Sequence, residues 1–191
     1  MKVFSCFVAP HAISDVVLRA DNVLSNSGKE LYLPEYVEHL QVMPMLVLRI
    51  NKVAKAVQPK FANRYYSEVS LALSLRADRL SEGFPERMRE DFDGSFIRWS
   101  RWASYEEIQD WKVSMAIYRG AELQHRDLPS LAFPPIDELY STLSIASQYY
   151  LIKVGDYVAF PLSERPVGVE RGEGIFLIEG ADNELIYYKI S

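Results

Sequence analysis

A chain of 191 residues, 49% hydrophobic and 25% charged, is long enough to bury a sizeable core as one domain over 1–191. Its net charge of −5, from 21 basic and 26 acidic residues, argues against a nucleic-acid partner. One cysteine, Cys6, excludes an intramolecular disulfide, and no apolar run is long enough to span a bilayer.

In chain order, Val3 to Val8 reads as a first strand, with Cys6 a small buried hydrophobe within it. Pro10-His11 ends that run too early for a secretion signal, so a cytoplasmic protein with no membrane partner is expected. Ile13, Val16, Val17, Ala20, Val23 and Leu24 recur at helical spacing and predict an amphipathic helix, closed by Gly28. Met45 to Leu48 predicts a short buried strand after Pro44, and Asn51 to Ala62 a loop or irregular strand. Tyr66 to Leu75 alternates without a fault, which predicts a strand with Val69, Leu71, Leu73 and Leu75 in the core. Its other face, Glu68, Ser70, Ala72 and Ser74, carries small side chains and reads as the wall of a cavity shared by Glu68 and Ser70.

Arg76 to Glu90 is the most charged stretch and reads as a surface connection, with one helical turn at Pro85 to Arg89. Asp91 to Phe96 predicts a turn, and Ile97 to Trp102 an extended path. Ser104-Tyr-Glu-Glu107 has capping-box spacing and opens a short helix. Trp111 to Tyr118 alternates as a half-buried strand that turns at Arg119 to Glu122 and returns through Leu123 to His125. Pro134-Pro135 starts a helix carrying Ile136, Leu139, Tyr140, Leu143 and Ala146 on one side. Lys153 to Asp156 turns into the strand Tyr157 to Phe160, and the chain closes with Ile175 to Ile178 and Leu185 to Ile190 about a turn at Gly180 to Asn183.

These pieces, in this order, resemble the catalytic C-terminal domain of the fumarylacetoacetate hydrolase family. The resemblance rests on Pro44-Met-Leu-Val-Leu-Arg49, Tyr66-Ser-Glu-Val-Ser-Leu-Ala72, Tyr118-Arg-Gly-Ala-Glu-Leu-Gln124, and Ile136 to Phe160 with its Val154-Gly-Asp156 turn. It implies a mixed, β-rich fold, a coiled or rolled mixed sheet with two helices. It also implies hydrolysis, isomerisation or decarboxylation of 2-oxo or β-dicarbonyl acids on a divalent metal. Two Glu at i and i+2 on a strand share a face, and a third carboxylate completes an oxygen site, from which the metal polarises the substrate as a Lewis acid.

The sequence departs from that pattern. Glu68 takes the first Glu position, but Ser70 takes the second, and the stretch bearing the third carboxylate is missing between the central strand and Glu90. The family's threonine-glycine-threonine-proline loop is Phe160 to Pro166, and its early tyrosine-and-histidine motif is reduced to Pro10-His11-Ala-Ile-Ser14. By resemblance, His11 and Glu68 are the candidate catalytic groups, Arg49, Ser70 and Gln124 the candidate substrate contacts, and Glu68 the one metal ligand. Mg²⁺ or Mn²⁺ is expected to bind weakly or not at all. Glu68 is alternatively a buried remnant held by an arginine. Asp91 and Asp93 either rebuild a carboxylate pair or simply suit their turn, and Arg49, Arg98 and Arg101 either clamp a carboxylate or pair with surface acids. Trp99, Trp102 and Trp111 read as core or interface.

Three readings follow: a homologue that keeps the fold and a small-carboxylic-acid pocket, a divergent active enzyme, and an interaction protein. A homodimer is expected in the first.

Overall fold

The computed structural model describes residues 1–9, 12–26 and 28–191. Strands β1 (Val3–Ala9), β2 (Ala12–Arg19), β3 (Leu24–Asn26), β4 (Glu30–Leu31), β5 (Val37–Ile50), β6 (Tyr66–Leu80) and β7 (Phe96–Arg98) come first. They are followed by helix α1 (Tyr105–Ile108), β8 (Val113–Arg119), β9 (Glu122–Leu123) and helix α2 (Ile136–Tyr149). The chain ends with β10 (Tyr157–Pro161), β11 (Val167–Val169), β12 (Glu173–Glu179) and β13 (Asn183–Ile190).

One sheet runs β2-β1-β10-β5-β6-β7-β3, with β11 also pairing on β5; the other runs β4-β13-β12-β8-β9. The first sheet has to curl. Its end strands β2 and β3 would stand roughly 29 Å apart in a flat sheet at about 4.8 Å per strand. Yet only Ala20 to Val23 joins them, a link that reaches about 17 Å when fully extended. The sheet therefore rolls, and the link crosses its open side.

The roll has two differently filled faces. Val69, Leu71, Leu73 and Leu75 are fully buried, as the alternation predicts. They join the main core with Met115, Ile117, Ile175, Leu177 and Ile186 of the second sheet and Leu139, Leu143 and Ala146 of α2. The inner face packs a smaller cluster of Val3, Val23, Met45, Val47, Ala72, Phe96, Tyr157 and Ala159, which explains its small side chains. Cys6 is buried in the main core, where burial pushes its thiol up to about 12 and leaves it an uncharged hydrophobe.

Arg19 fastens the roll. It is 1% exposed, and its Nη1 donates to the carbonyls of Leu75 and Ser95, each at 3.3 Å, tying the edge strand β2 to the far strands. Burial lowers its pKa to about 10, against the pull of Glu90 and Asp91, so it remains charged at neutral pH.

Several expectations are corrected. The helix predicted over 13–24 is instead β2, a 3-10 turn at Asp21–Val23 and β3. The adjacent β-branched Val16 and Val17 satisfy helical and strand spacing equally, and the ladder to β1 decides for the strand. Gly28 does take a positive φ of 81°, but in a turn whose N–H reaches the carbonyl of Tyr187, not at a helix end. The charged connection begins later than expected, since β6 continues to Leu80; the turn at Glu86–Arg89 is 3-10.

The buried strand at Met45 to Leu48 lies in the second half of the longer β5, which runs straight through Pro44. Pro44 is tolerated because its carbonyl, and hence its missing N–H, faces the gap between β10 and β11, where Leu162 N donates at 2.9 Å. The expected helix start holds as an N-cap, with Ser104 accepting from the Glu107 N–H at 3.2 Å, while the Glu107 carboxylate accepts from Arg101.

Candidate functional site

The β5–β6 hairpin sets the register that builds the candidate site. Arg49 lies opposite Glu68, Val47 opposite Ser70 and Met45 opposite Ala72, all on the inner face. Directly opposed residues of antiparallel strands bring their side chains together. Arg49 Nη1 accordingly lies 3.1 Å from Glu68 Oε2. Both side chains are half-exposed, at 49% and 41%, so this ion pair sits at the rim of the roll.

Trp102 stands beside the pair. Its ring packs on Tyr157 at 5.4 Å between centroids, with the guanidinium of Arg49 at 5.5 Å and that of Arg98 at 4.7 Å. Arg98 also donates through Nη1 to the carbonyl of Trp99. The register explains how they meet: Tyr157 opposes Arg49 on one side, and Arg98 opposes Ala72 on the other.

Ser70 does not share a cavity with Glu68. It is fully buried, and its hydroxyl donates to the carbonyl of Arg101 at 2.8 Å, with that of Trp99 at 3.4 Å. The segment after β7 stays bonded along the edge of β6, through Trp99 to Leu71 and Ala103 to Val69, and so covers this serine. Glu68 is held by an arginine, as one expectation had it, but is not buried.

The remaining candidates lie elsewhere. His11, with Pro10, lies outside the described residues. Gln124 sits past β9 in the second sheet, its amide donating to the Glu122 carbonyl at 3.1 Å, and no described contact links it to Arg49, Glu68 or Ser70. Asp91 and Asp93 are exposed in their turn, and Asp93 accepts from Asn22 at 2.9 Å. That turn depends on Gly94, whose φ is 75° and whose Cβ position would meet the Tyr188 hydroxyl at 3.0 Å.

Sequence reasoning read Trp102 as core or interface and named Arg98 among possible carboxylate clamps, but it did not bring the two together and passed over Tyr157. The repeated Arg-Trp pairs of Arg98-Trp99 and Arg101-Trp102 were the available signal. One arginine of that repeat follows the surface reading, since Arg101 pairs with Glu107 at 2.6 Å. Trp99 and Trp111 follow the core reading, in edge contact at 5.6 Å.

These residues do not fit a carboxylate-held divalent ion. The one carboxylate on the strand face faces a guanidinium, and the neighbouring hydroxyl is spent on a backbone carbonyl. Among the described residues no three His, Cys, Asp or Glu side chains gather as a cage.

No protein-family model matches the sequence, and no curated protein matches it. Solved structures do match. A fumarylpyruvate hydrolase from Pseudomonas aeruginosa, solved with Mn²⁺ and pyruvate, superposes with a TM-score of 0.72 at 16% identity, covering all of this chain and 89% of that one. A fumarylacetoacetate hydrolase family protein from yeast gives 0.71 at 14% identity over all of this chain and 92% of its own. The 5-carboxymethyl-2-hydroxymuconate delta-isomerase from Mycobacterium smegmatis gives 0.72 at 16% identity over 99% of this chain and 78% of its own. The rolled mixed sheet, the order of its elements and these superpositions agree: this chain has the fold of the fumarylacetoacetate hydrolase family.

Proposed function

We propose that this protein keeps the fumarylacetoacetate hydrolase fold and binds a small carboxylic acid without a divalent-metal centre. The observation that carries the proposal is the pairing of Glu68 with Arg49 at 3.1 Å, with the Ser70 hydroxyl already committed. A carboxylate and a guanidinium together present no net charge to a cation, whereas Mg²⁺ or Mn²⁺ favours several anionic or carbonyl oxygens. Without a Lewis acid, several kcal/mol of transition-state stabilisation are lost. A positioned acid or base alone supplies about 10²–10⁴-fold, too little to sustain useful turnover.

The fold relatives named above include a hydrolase and an isomerase, and this supports the rival reading of a metal-dependent hydrolase, isomerase or decarboxylase of oxo acids. Calorimetric titration of the protein with Mg²⁺ and Mn²⁺ should give no tight site. Assays on acylpyruvates and oxaloacetate with Mg²⁺, Mn²⁺ or Ca²⁺ should give no turnover above a Glu68→Ala control. Metal-dependent turnover that disappears in Glu68→Ala would replace the first reading with the second.

A homodimer is part of the same proposal. Exposed Val53, Leu151 and Val154, with Tyr149 close by in sequence, gather where Ala54 bridges Ile152, an apolar patch of the kind that subunit contacts cover. Light scattering should give twice the chain mass of 21.9 kDa. A single-chain mass at micromolar concentration would refute it.

A further inference from the structure

Arg98 and Tyr157 touch Trp102 from the rim, and both also line a cavity of about 210 Å³ with Leu24, Asn26, Lys29 and Met1. In a chain of net charge −5, no Asp or Glu lines this space, while two basic side chains do. Among the described residues neither Lys29 nor Arg98 has a carboxylate within ion-pair distance, whereas Arg49, Arg76, Arg79 and Arg101 each hold one. The Met1 amine, also at the lining, stands 4.0 Å from Asp21.

Arg98 is also prepared for a planar ligand. Its stack on Trp102 and its bond to the Trp99 carbonyl fix the guanidinium plane. That bond uses Nη1, so Nε and Nη2 remain as donors. A fixed guanidinium fork matches the two oxygens of a carboxylate.

We propose that the cavity between Asn26, Lys29, Arg98 and Tyr157 binds a small carboxylic acid, its carboxylate held by Arg98 and Lys29. A cavity of about 150 Å³ accepts one benzene-sized molecule, so this one suits an acid of a few carbons. Ser25, Asn26 and Tyr157 also line the cavity and carry polar groups for a second oxygen of the acid. The inference rests on the proposed function for the ligand's chemical class, but it assigns the site to residues outside the β5–β6 strand pair.

The test is calorimetric titration of pyruvate, and separately inorganic phosphate, into the unaltered protein and the variants Lys29→Gln, Arg98→Gln and Arg79→Gln. Lys29 is exposed, so its variant should fold normally, and thermal melts would verify this for all three. Pyruvate should bind the unaltered protein, and Lys29→Gln and Arg98→Gln should each weaken it about tenfold or more. Arg79→Gln should leave it within about twofold, because Arg79 is an exposed arginine paired with Glu38 and lies outside the lining.

No saturable pyruvate binding would overturn the assignment. So would undiminished binding in both Lys29→Gln and Arg98→Gln, or phosphate binding more tightly than pyruvate. Metal-dependent turnover would refute the metal-free reading while leaving these titrations to stand or fall by themselves.

Discussion

Glu173→Ala should lower the free energy of unfolding by about 3–5 kcal/mol, because it strips a buried charge network of its only anion at the centre. Glu173 has no exposed surface, and one of its oxygens accepts from both Arg119, at 3.3 Å, and Arg126. Its other oxygen accepts the Glu170 N–H at 2.9 Å, and Arg126 reaches on to the Gly168 carbonyl at 2.7 Å. One carboxylate thus joins the start of β12 to the end of β8, to the segment after β9 and to β11 of the other sheet. Removing it leaves Arg126, 29% exposed, with its charge half out of water and unpaired. The control is Glu170→Ala, which removes a 66% exposed partner of the same Arg119. An exposed pair of this kind is worth about 0.2–1 kcal/mol. Urea unfolding of both variants checks the contrast, and equal losses would show that burial of Glu173 carries no special weight.

Leu73→Ala should cost about 2–5 kcal/mol, the usual range for emptying a buried leucine site. Leu73 is fully buried between Pro44 on β5 and Ile97 on β7. Glu68→Gln, on the opposite face of the same strand, should cost only about 0.2–1 kcal/mol, since it loosens a half-exposed ion pair. A slip of one residue in register would exchange the two faces. Comparable losses in the two variants would therefore contradict the register of β6. Denaturation midpoints with unchanged m-values are the measurement needed.

The strands that could be read from the chain are those in which burial alone dictates the pattern. Residues 69, 71, 73 and 75 face a core made by distant segments, yet period-two alternation reports their burial without naming those segments. The helix wrongly expected over 13–24 marks where this logic fails. Val16 and Val17 fit either period, and the deciding partner, β1, is a tertiary contact. The length of β5 was hidden in the same way, because Pro44 ends a strand by local rules and survives only opposite a gap between two other strands.

The candidate site was legible in its register but not in its electrostatics. Glu68 and Arg49 were each singled out, but their pairing depends on β5 and β6 being adjacent and in this alignment. Ser70 looked available because its small neighbours suggested space, and the covering segment after β7 cannot be seen in alternation. The cluster of Arg98, Lys29 and Asn26 requires β3 to lie beside β7, a parallel pairing that no local pattern announces.

The placement of β10 has a consequence for how the chain is made. Strand β10 lies between β1 and β5, and Val3 pairs with Tyr157, so β1 has no strand partner in the roll besides β2 until the strand encoded some 150 residues later arrives. At about 5–20 residues per second, a ribosome takes roughly 8–30 s to cover that distance. From the completion of β5 at Ile50 until Tyr157 is made, roughly 5–21 s at that rate, the edge of β5 that later receives β10 is an unpaired row of amides and carbonyls on one of the chain's most apolar strands. During synthesis this edge is the place where a chaperone, or a second nascent chain, would pair first.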